Sequence, residues 1–343
     1  MIIKNTSNKA SKKTRGFTLV ELLVAMGLGL TMSAALVNMY IASKKNYFQD
    51  DETARLQENA RYAMRVISRE LSMSGFMGGV LDSSTVAPLA LNRDCVTGAN
   101  WALIPTNFIE LIDDYSGGAV STVAGTTFNA NCVIAADLAR NSDIFSVKRS
   151  ADEKTLGNGS VLTAADDNQW YLRVSEYGAA TSYKLLGAGA SIPAADQVAG
   201  NLVDYWEYYV NLFYVRNYST TAGDGIPSMC IATLIGNDMT PLCYVEGVQN
   251  IQLEFGVDSN GDEQADFFIA NPSAVELDDA ISVRIYLLMR AVNPITGYIN
   301  DKSYRLGSTV INPDAGGNPQ PFNDGFYRRV FSTTMKLRNP VRL

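Results

Sequence analysis

Residues 13–41 read KTRGFTLVELLVAMGLGLTMSAALVNMYI. From Phe17 to Ile41 there are 25 residues without Lys, Arg, Asp or Pro. As a helix rising 1.5 Å per residue, that stretch reaches roughly 37 Å, enough to span the apolar core of a bilayer. Its only charge is Glu21, four residues past Phe17. A carboxylate inside a membrane segment is costly, and residues that bear such a cost commonly serve a function. The purpose expected here is a new amino terminus.

Upstream, residues 1–15 hold Lys4, Lys9, Lys12, Lys13 and Arg15 and no acid. The positive-inside rule keeps that end cytoplasmic, so the remainder is expected to be exported. An ordinary secretory signal peptide would cut near Ser33-Ala34-Ala35. The apolar stretch is longer than a usual signal core and carries a carboxylate, which argues against that reading. An unprocessed anchor would leave the order Gly16, Phe17, Glu21 unexplained.

Downstream of Ile41, Lys44, Lys45, Asp50, Asp51 and Glu52 mark the exit from the membrane. Leu56, Ala60, Ala63, Ile67 and Leu71 then recur at three- and four-residue spacing, with Arg55, Glu58, Arg61, Arg65 and Arg69 on other faces. This half is amphipathic, and its apolar stripe is expected to lie on a folded domain. Gly75, Gly78 and Gly79 end it. Any bend in the apolar half would rest on Gly27 and Gly29, since proline is absent there.

The motif RGFTLVELLVAM, residues 15–26, resembles the start of type IV prepilins. The resemblance implies that a membrane prepilin peptidase cuts after Gly16 and methylates the amine of Phe17. It implies further that Glu21 pairs with that amine as the subunit docks into a growing fibre. Three later segments narrow the resemblance: GVQNIQLEFGVDSNGDEQAD (247–266), ISVRIYLLMRA (281–291) and YRRVFSTTMKLRN (327–339) are similar to those of PilW-type minor pilins, relatives of the J-type pseudopilins of type II secretion. Residues 80–240 match nothing recognisable.

The expected organisation is a cleaved leader, 1–16; a transmembrane half-helix, 17–41; an amphipathic half-helix, 42–74; and a periplasmic or extracellular domain, 75–343. The fold class expected is α+β, a long amino-terminal helix packed on a large antiparallel sheet. Strands are expected at 144–149, 170–174, 205–216, 230–235, 248–257, 267–270, 280–291 and 327–339, rich in aromatic and branched residues and separated by Gly, Asp, Asn and Pro. In the last, Phe331, Met335 and Leu337 fall on one face, and Arg328, Lys336 and Arg338 on the other.

The formal net charge is −7 for 343 residues, and losing the five leader cations makes it −12. Such a surface is poorly suited to gripping nucleic acid directly. Histidine is absent, and there is no G-x-S-x-G or H-E-x-x-H, so no enzymatic activity is expected. Four cysteines, Cys95, Cys132, Cys230 and Cys243, lie in the exported part, where an even count suggests two disulfides. Four allow three connectivities; the expected one joins sequence neighbours, Cys95–Cys132 and Cys230–Cys243.

One loop has the donors of a hard cation. Asp258, Asn260 and Asp262 stand at positions 1, 3 and 5, the Gln264 carbonyl at position 7, and Asp266 supplies a further acid. The spacing resembles the short calcium loops of thrombospondin type 3 repeats more than an EF-hand, since position 6 is Glu263 and position 12 is Ile269. Plain turn chemistry gives the same composition. The expected cofactor is a structural calcium ion. The acidic pairs Asp113-Asp114, Asp166-Asp167 and Asp278-Asp279 lack the spacing and read as solvated loop charges.

The resemblance implies a minor pilin that joins other low-abundance pilins to prime type IV pilus assembly and sits at or near the tip, supporting motility, adhesion or DNA uptake. Its partners would be other minor pilins, the major pilin, the prepilin peptidase, the inner-membrane assembly platform and a tip adhesin. It would reside in the inner membrane before assembly and in the extracellular pilus afterwards. The alternatives are a type II secretion pseudopilin and a membrane-anchored calcium-dependent adhesin or surface enzyme.

Overall fold

The computed structural model describes residues 16–80, 90–98, 100–122, 124–155, 168–175, 184–186, 192–198, 200 and 202–339. The basic leader up to Arg15 and the pair Asp166-Asp167 lie outside the described residues. The chain divides into two units, Met1–Asp51 and Glu52–Leu343. The hydropathy boundary expected at residue 41 thus precedes the start of the second unit at Glu52 by about three turns of helix, which carry the charged exit.

Helix α1, Leu19–Met73, is unbroken through Gly27, Gly29 and Asn38. In the first unit it is long and apolar enough to cross a membrane, and the side chains of its apolar window are not buried. In the second unit Leu56, Ala60, Ala63, Ile67 and Leu71 are buried, the stripe read from the spacing. Glu52 and Glu70 are buried on the same side, which the apolar periodicity does not indicate. Glu52 accepts from Asn293 through its backbone N–H at 3.2 Å and its side-chain amide at 2.7 Å. Gly75 ends the helix with φ +73°, and a Cβ there would meet the Phe108 ring at 2.7 Å. Glycine is therefore required twice over, by backbone and by space.

The strands are β1 (Ile109–Ile112), β2 (Val120–Ser121), β3 (Thr127–Phe128), β4 (Ile144–Ser150), β5 (Trp170–Val174), β6 (Lys184–Leu186), β7 (Asp204–Arg216), β8 (Ser228–Ile235), β9 (Asp238–Glu246) and β10 (Val248–Val257). They continue with β11 (Phe267–Ile269), β12 (Ala280–Arg290), β13 (Tyr304–Leu306), β14 (Thr309–Ile311) and β15 (Arg328–Lys336), and a short helix α2 (Ala274–Asp278) precedes β12. Every strand pairing between these elements is antiparallel. Among the described residues, the first large sheet runs β1-β4-β7-β5-β6, with β8 on β7 and β9 on β8. β5 pairs with Asp204–Tyr208 and β8 with Asn211–Arg216, so the two share one edge of β7 end to end. The second sheet runs β11-β10-β12-β15, and β2-β3 and β13-β14 are small hairpins. The single large sheet expected from the pattern is therefore two.

Alternation along the strands feeds two cores. Tyr208, Val210, Leu212 and Tyr214 of β7 face a core closed by Trp101, Phe128 and the 95–133 loops. Phe213 and Val215 face the other way, into a core shared with the α1 stripe and with Ile251, Leu253, Phe255, Val283, Ile285 and Leu287 of the second sheet. A β4 or β7 strand buried on both faces thus serves two different layers.

β9 is missing from the sequence reading because Pro241 interrupts it; as an edge strand, bonded on one side to β8, it tolerates the lost donor. Arg328 corrects the expected face pattern of β15. It lies on the side opposite Phe331, as read, but it is 4% exposed because residues 304–326 fold over that face. There it bonds Asp324 at 2.6 and 2.7 Å and stacks on Phe322.

Candidate functional site

The amino-terminal end of α1 is built from Gly16, Phe17, Thr18 and Glu21. Gly16, Phe17 and Thr18 precede the helix, and Phe17 is 86% exposed. Glu21 folds back so that Oε2 accepts from the Thr18 N–H at 2.9 Å and from its hydroxyl at 2.8 Å. In return the Glu21 N–H donates to Thr18 Oγ1 at 3.3 Å. This is a reciprocal capping box on the sequence Thr18-x-x-Glu21, a local signal carried by the residue types and their spacing. The carboxylate is thereby held one residue from Phe17, at the end where the helix dipole favours negative charge.

The acidic loop connects β10 to β11, which pair through Val257 and Phe267. Asp258 is buried, and its Oδ1 accepts the N–H groups of Gly261 at 2.7 Å and Asp262 at 3.2 Å, while Oδ2 accepts that of Glu263 at 2.8 Å. Asn260 Oδ1 accepts from the Asp262 N–H and Asp262 Oδ1 from the Gln264 N–H, both at 2.9 Å. Asp266 accepts from Ser259 and from the Asn260 amide. Glu263 has φ +65°, the left-handed turn that calcium loops ordinarily give to glycine at position 6. Among the described residues no three His, Cys, Asp or Glu side chains are grouped to hold a metal ion.

The cysteines pair as expected, Cys95–Cys132 with Cα atoms 5.2 Å apart and Cys230–Cys243 at 3.9 Å. The first ties the loops over the β7 core. The second joins directly opposed residues of β8 and β9 and pins their register. Bridges of this kind typically contribute about 2–4 kcal/mol.

Two buried charge clusters were beyond sequence reasoning. Lys148 of β4 is 1% exposed and donates to the carbonyls of Trp101 and Ile104 at 2.9 Å and of Thr106 at 3.4 Å. Burial pulls its ammonium down to about 8, opposed by Glu110 and Asp94. With three acceptors for three protons, Lys148 is a clamp on the 101–106 loop. The pair Asp113-Asp114 is a correction, since it is not freely solvated: the Asp114 N–H bonds Asp143 Oδ1 at 3.0 Å, and its Oδ1 accepts from Gln252 at 3.0 Å. Burial, then the neighbouring Asp114, pushes Asp113 up to about 6.

Comparison with known proteins places these features. Residues 11–37, which include Gly16, Phe17 and Glu21, match the family described as the prokaryotic N-terminal methylation motif. Residues 212–339 match the type IV pilus-assembly protein W family. The second match begins inside β7 and ends just past β15, so it extends upstream of the segments that carry the resemblance in sequence. The two matched segments are together similar to those of a type IV pilus minor pilin of the PilW type. No curated protein matches the chain. Among solved structures, the type IV-like pilin TTHA1219 from Thermus thermophilus is similar at 12% identity and a TM-score of 0.33, covering 84% of this chain and 98% of that one.

Proposed function

We propose that this chain joins a complex of low-abundance pilins that primes type IV pilus assembly and sits at or near the tip. The observation that supports it is the presence, in one chain, of the methylation motif at 11–37 and the PilW-type segment at 212–339. In this reading the prepilin peptidase cuts between Gly16 and Phe17, and Glu21 receives the methylated Phe17 amine. A charge that lipid cannot solvate is then paired inside the assembly. The chain would act through surfaces and not through catalysis, with the globular unit outside the inner membrane. Complexes purified from membranes and from sheared pili should contain it, substoichiometrically, together with other minor pilins. Recovery only with type II secretion components would contradict the reading in favour of a pseudopilin.

We propose also that calcium occupies the 258–266 loop, with Asp258, Asn260, Asp262, Asp266 and the Gln264 carbonyl as ligands. The left-handed Glu263 supports this, as does the alternation of oxygen donors around one turn. A ligand that binds only the folded state stabilises it by RT ln(1 + [L]/Kd), about 2.7 kcal/mol at a hundred times Kd. Chelation should lower the melting temperature, and Asp262→Ala should remove the calcium response while leaving the fold intact. No heat of binding at millimolar calcium, with melting indifferent to chelator, would reduce the loop to an acidic turn.

A further inference from the structure

We propose that the solvent face of the second half of α1 docks an acidic face of a different pilin subunit, through a row of arginines flanked by tyrosines. This rests on the minor-pilin reading above and adds the surface and the chemistry of the partner.

At 100° per residue, Arg61, Arg65 and Arg69 occupy one narrow arc of the helix, about 6 Å apart along its axis. The arc is opposite Leu56, Ala60, Ala63, Ile67 and Leu71, which are buried in the domain, and among the described residues no other segment covers it. All three arginines are exposed. Among the described residues none of them has an ion-pair partner, although Arg55, Arg149, Arg173, Arg284 and Arg328 all do. Glu58 is on the same arc and leaves the row net positive on a chain of net charge −7.

Tyr62 adjoins the row and is 48% exposed. It lies near enough to Tyr244 of β9 that a charge on one phenol would disfavour charge on the other. Tyr244 and Leu242 are 46% and 41% exposed on the same strand, which Arg55 and Asn59 bind at Glu246. Arginine and tyrosine are the residues that dominate protein interfaces, and a guanidinium fork matches a carboxylate bidentately. The apolar area beside the row suits a protein face better than lipid headgroups. The occupant is therefore a protein surface with carboxylates at matching spacing, which charge complementarity assigns to another subunit.

The test uses the full chain in its own cells, with Tyr62→p-benzoylphenylalanine as the photo-crosslinking probe. Irradiated, purified pili and membranes should yield one cross-linked species joining this chain to a different pilin, at a peptide with at least two carboxylates. Combined Arg61→Glu, Arg65→Glu and Arg69→Glu should cut that yield by on the order of tenfold, while the three Arg→Lys changes retain most of it. The substituted residues are outside the core, and unchanged melting of the charge-reversed protein would show that folding is not the cause. A cross-link to lipid, to a second copy of this chain, or one indifferent to charge reversal overturns the inference while the minor-pilin reading stands. Absence of the chain from both pili and pilin complexes overturns both.

Discussion

Replacing Arg149 by alanine is expected to destabilise the globular unit by about 3–5 kcal/mol, the cost of leaving one buried charge alone. Arg149 of β4 donates to Glu70 of α1 in a fork, Nε to Oε2 at 2.8 Å and Nη2 to Oε1 at 2.6 Å. The two side chains are 7% and 10% exposed, so water cannot replace the lost partner. Asn211 of β7 donates to the same Glu70 oxygen at 2.8 Å, and Arg149 lies over the Tyr209 ring at 4.4 Å. The helix and both central strands of the first sheet thus converge on one carboxylate. Combined Glu70→Leu and Arg149→Met should recover most of the loss, because an apolar pair needs no desolvation. Urea unfolding of a soluble fragment starting near residue 45 gives both values. A loss below about 1 kcal/mol for Arg149→Ala would mean that the pair is solvated and that α1 is held by its apolar stripe alone.

The second large effect concerns Glu21, whose observed cap on Thr18 and proposed pairing with the Phe17 amine are separated by single substitutions. Glu21→Ala should leave membrane insertion intact or improved, since it removes a charge from the span, yet reduce incorporation into pili by on the order of tenfold or more. Glu21→Gln keeps an oxygen for the Thr18 N–H and so preserves most of the cap, but it cannot pair with an amine. Thr18→Ala does the reverse. If assembly needs the charge, Glu21→Gln should fail like Glu21→Ala and Thr18→Ala should assemble. If Glu21 is a helix cap and nothing else, Thr18→Ala should fail and Glu21→Gln should assemble. Piliation counts with membrane fractionation distinguish these outcomes.

The elements legible in the sequence are those with a strong period and no competing role. β10, from Val248 to Val257, and β5, from Trp170 to Val174, have the expected bounds, and the α1 stripe from Leu56 to Leu71 is buried residue for residue. Local pairing of the cysteines was legible too, because each pair closes a short or moderate loop. What was not legible depends on distant partners. Glu70 looks like an ordinary helix-surface acid until Arg149, 79 residues away, meets it. Lys148 and Arg328 look like outward-facing cations in alternating strands, and they are buried only because the loops at 101–106 and 304–326 fold over them. The first sheet branches because β7 is long enough to take β5 and β8 on one edge, a choice that periodicity does not encode. At the amino terminus Thr18-x-x-Glu21 is a local capping signal that lies inside the stronger membrane signal.

The proposed pilin role requires processing between Gly16 and Phe17, and the amino-terminal peptide of the mature chain tests it most directly. Mass spectrometry of protein recovered from its own cells should find a chain beginning at Phe17 with a methylated amine, since Gly16-Phe17 lies within the matched methylation motif. A mature terminus near Leu36, or an uncut Met1, would contradict the account.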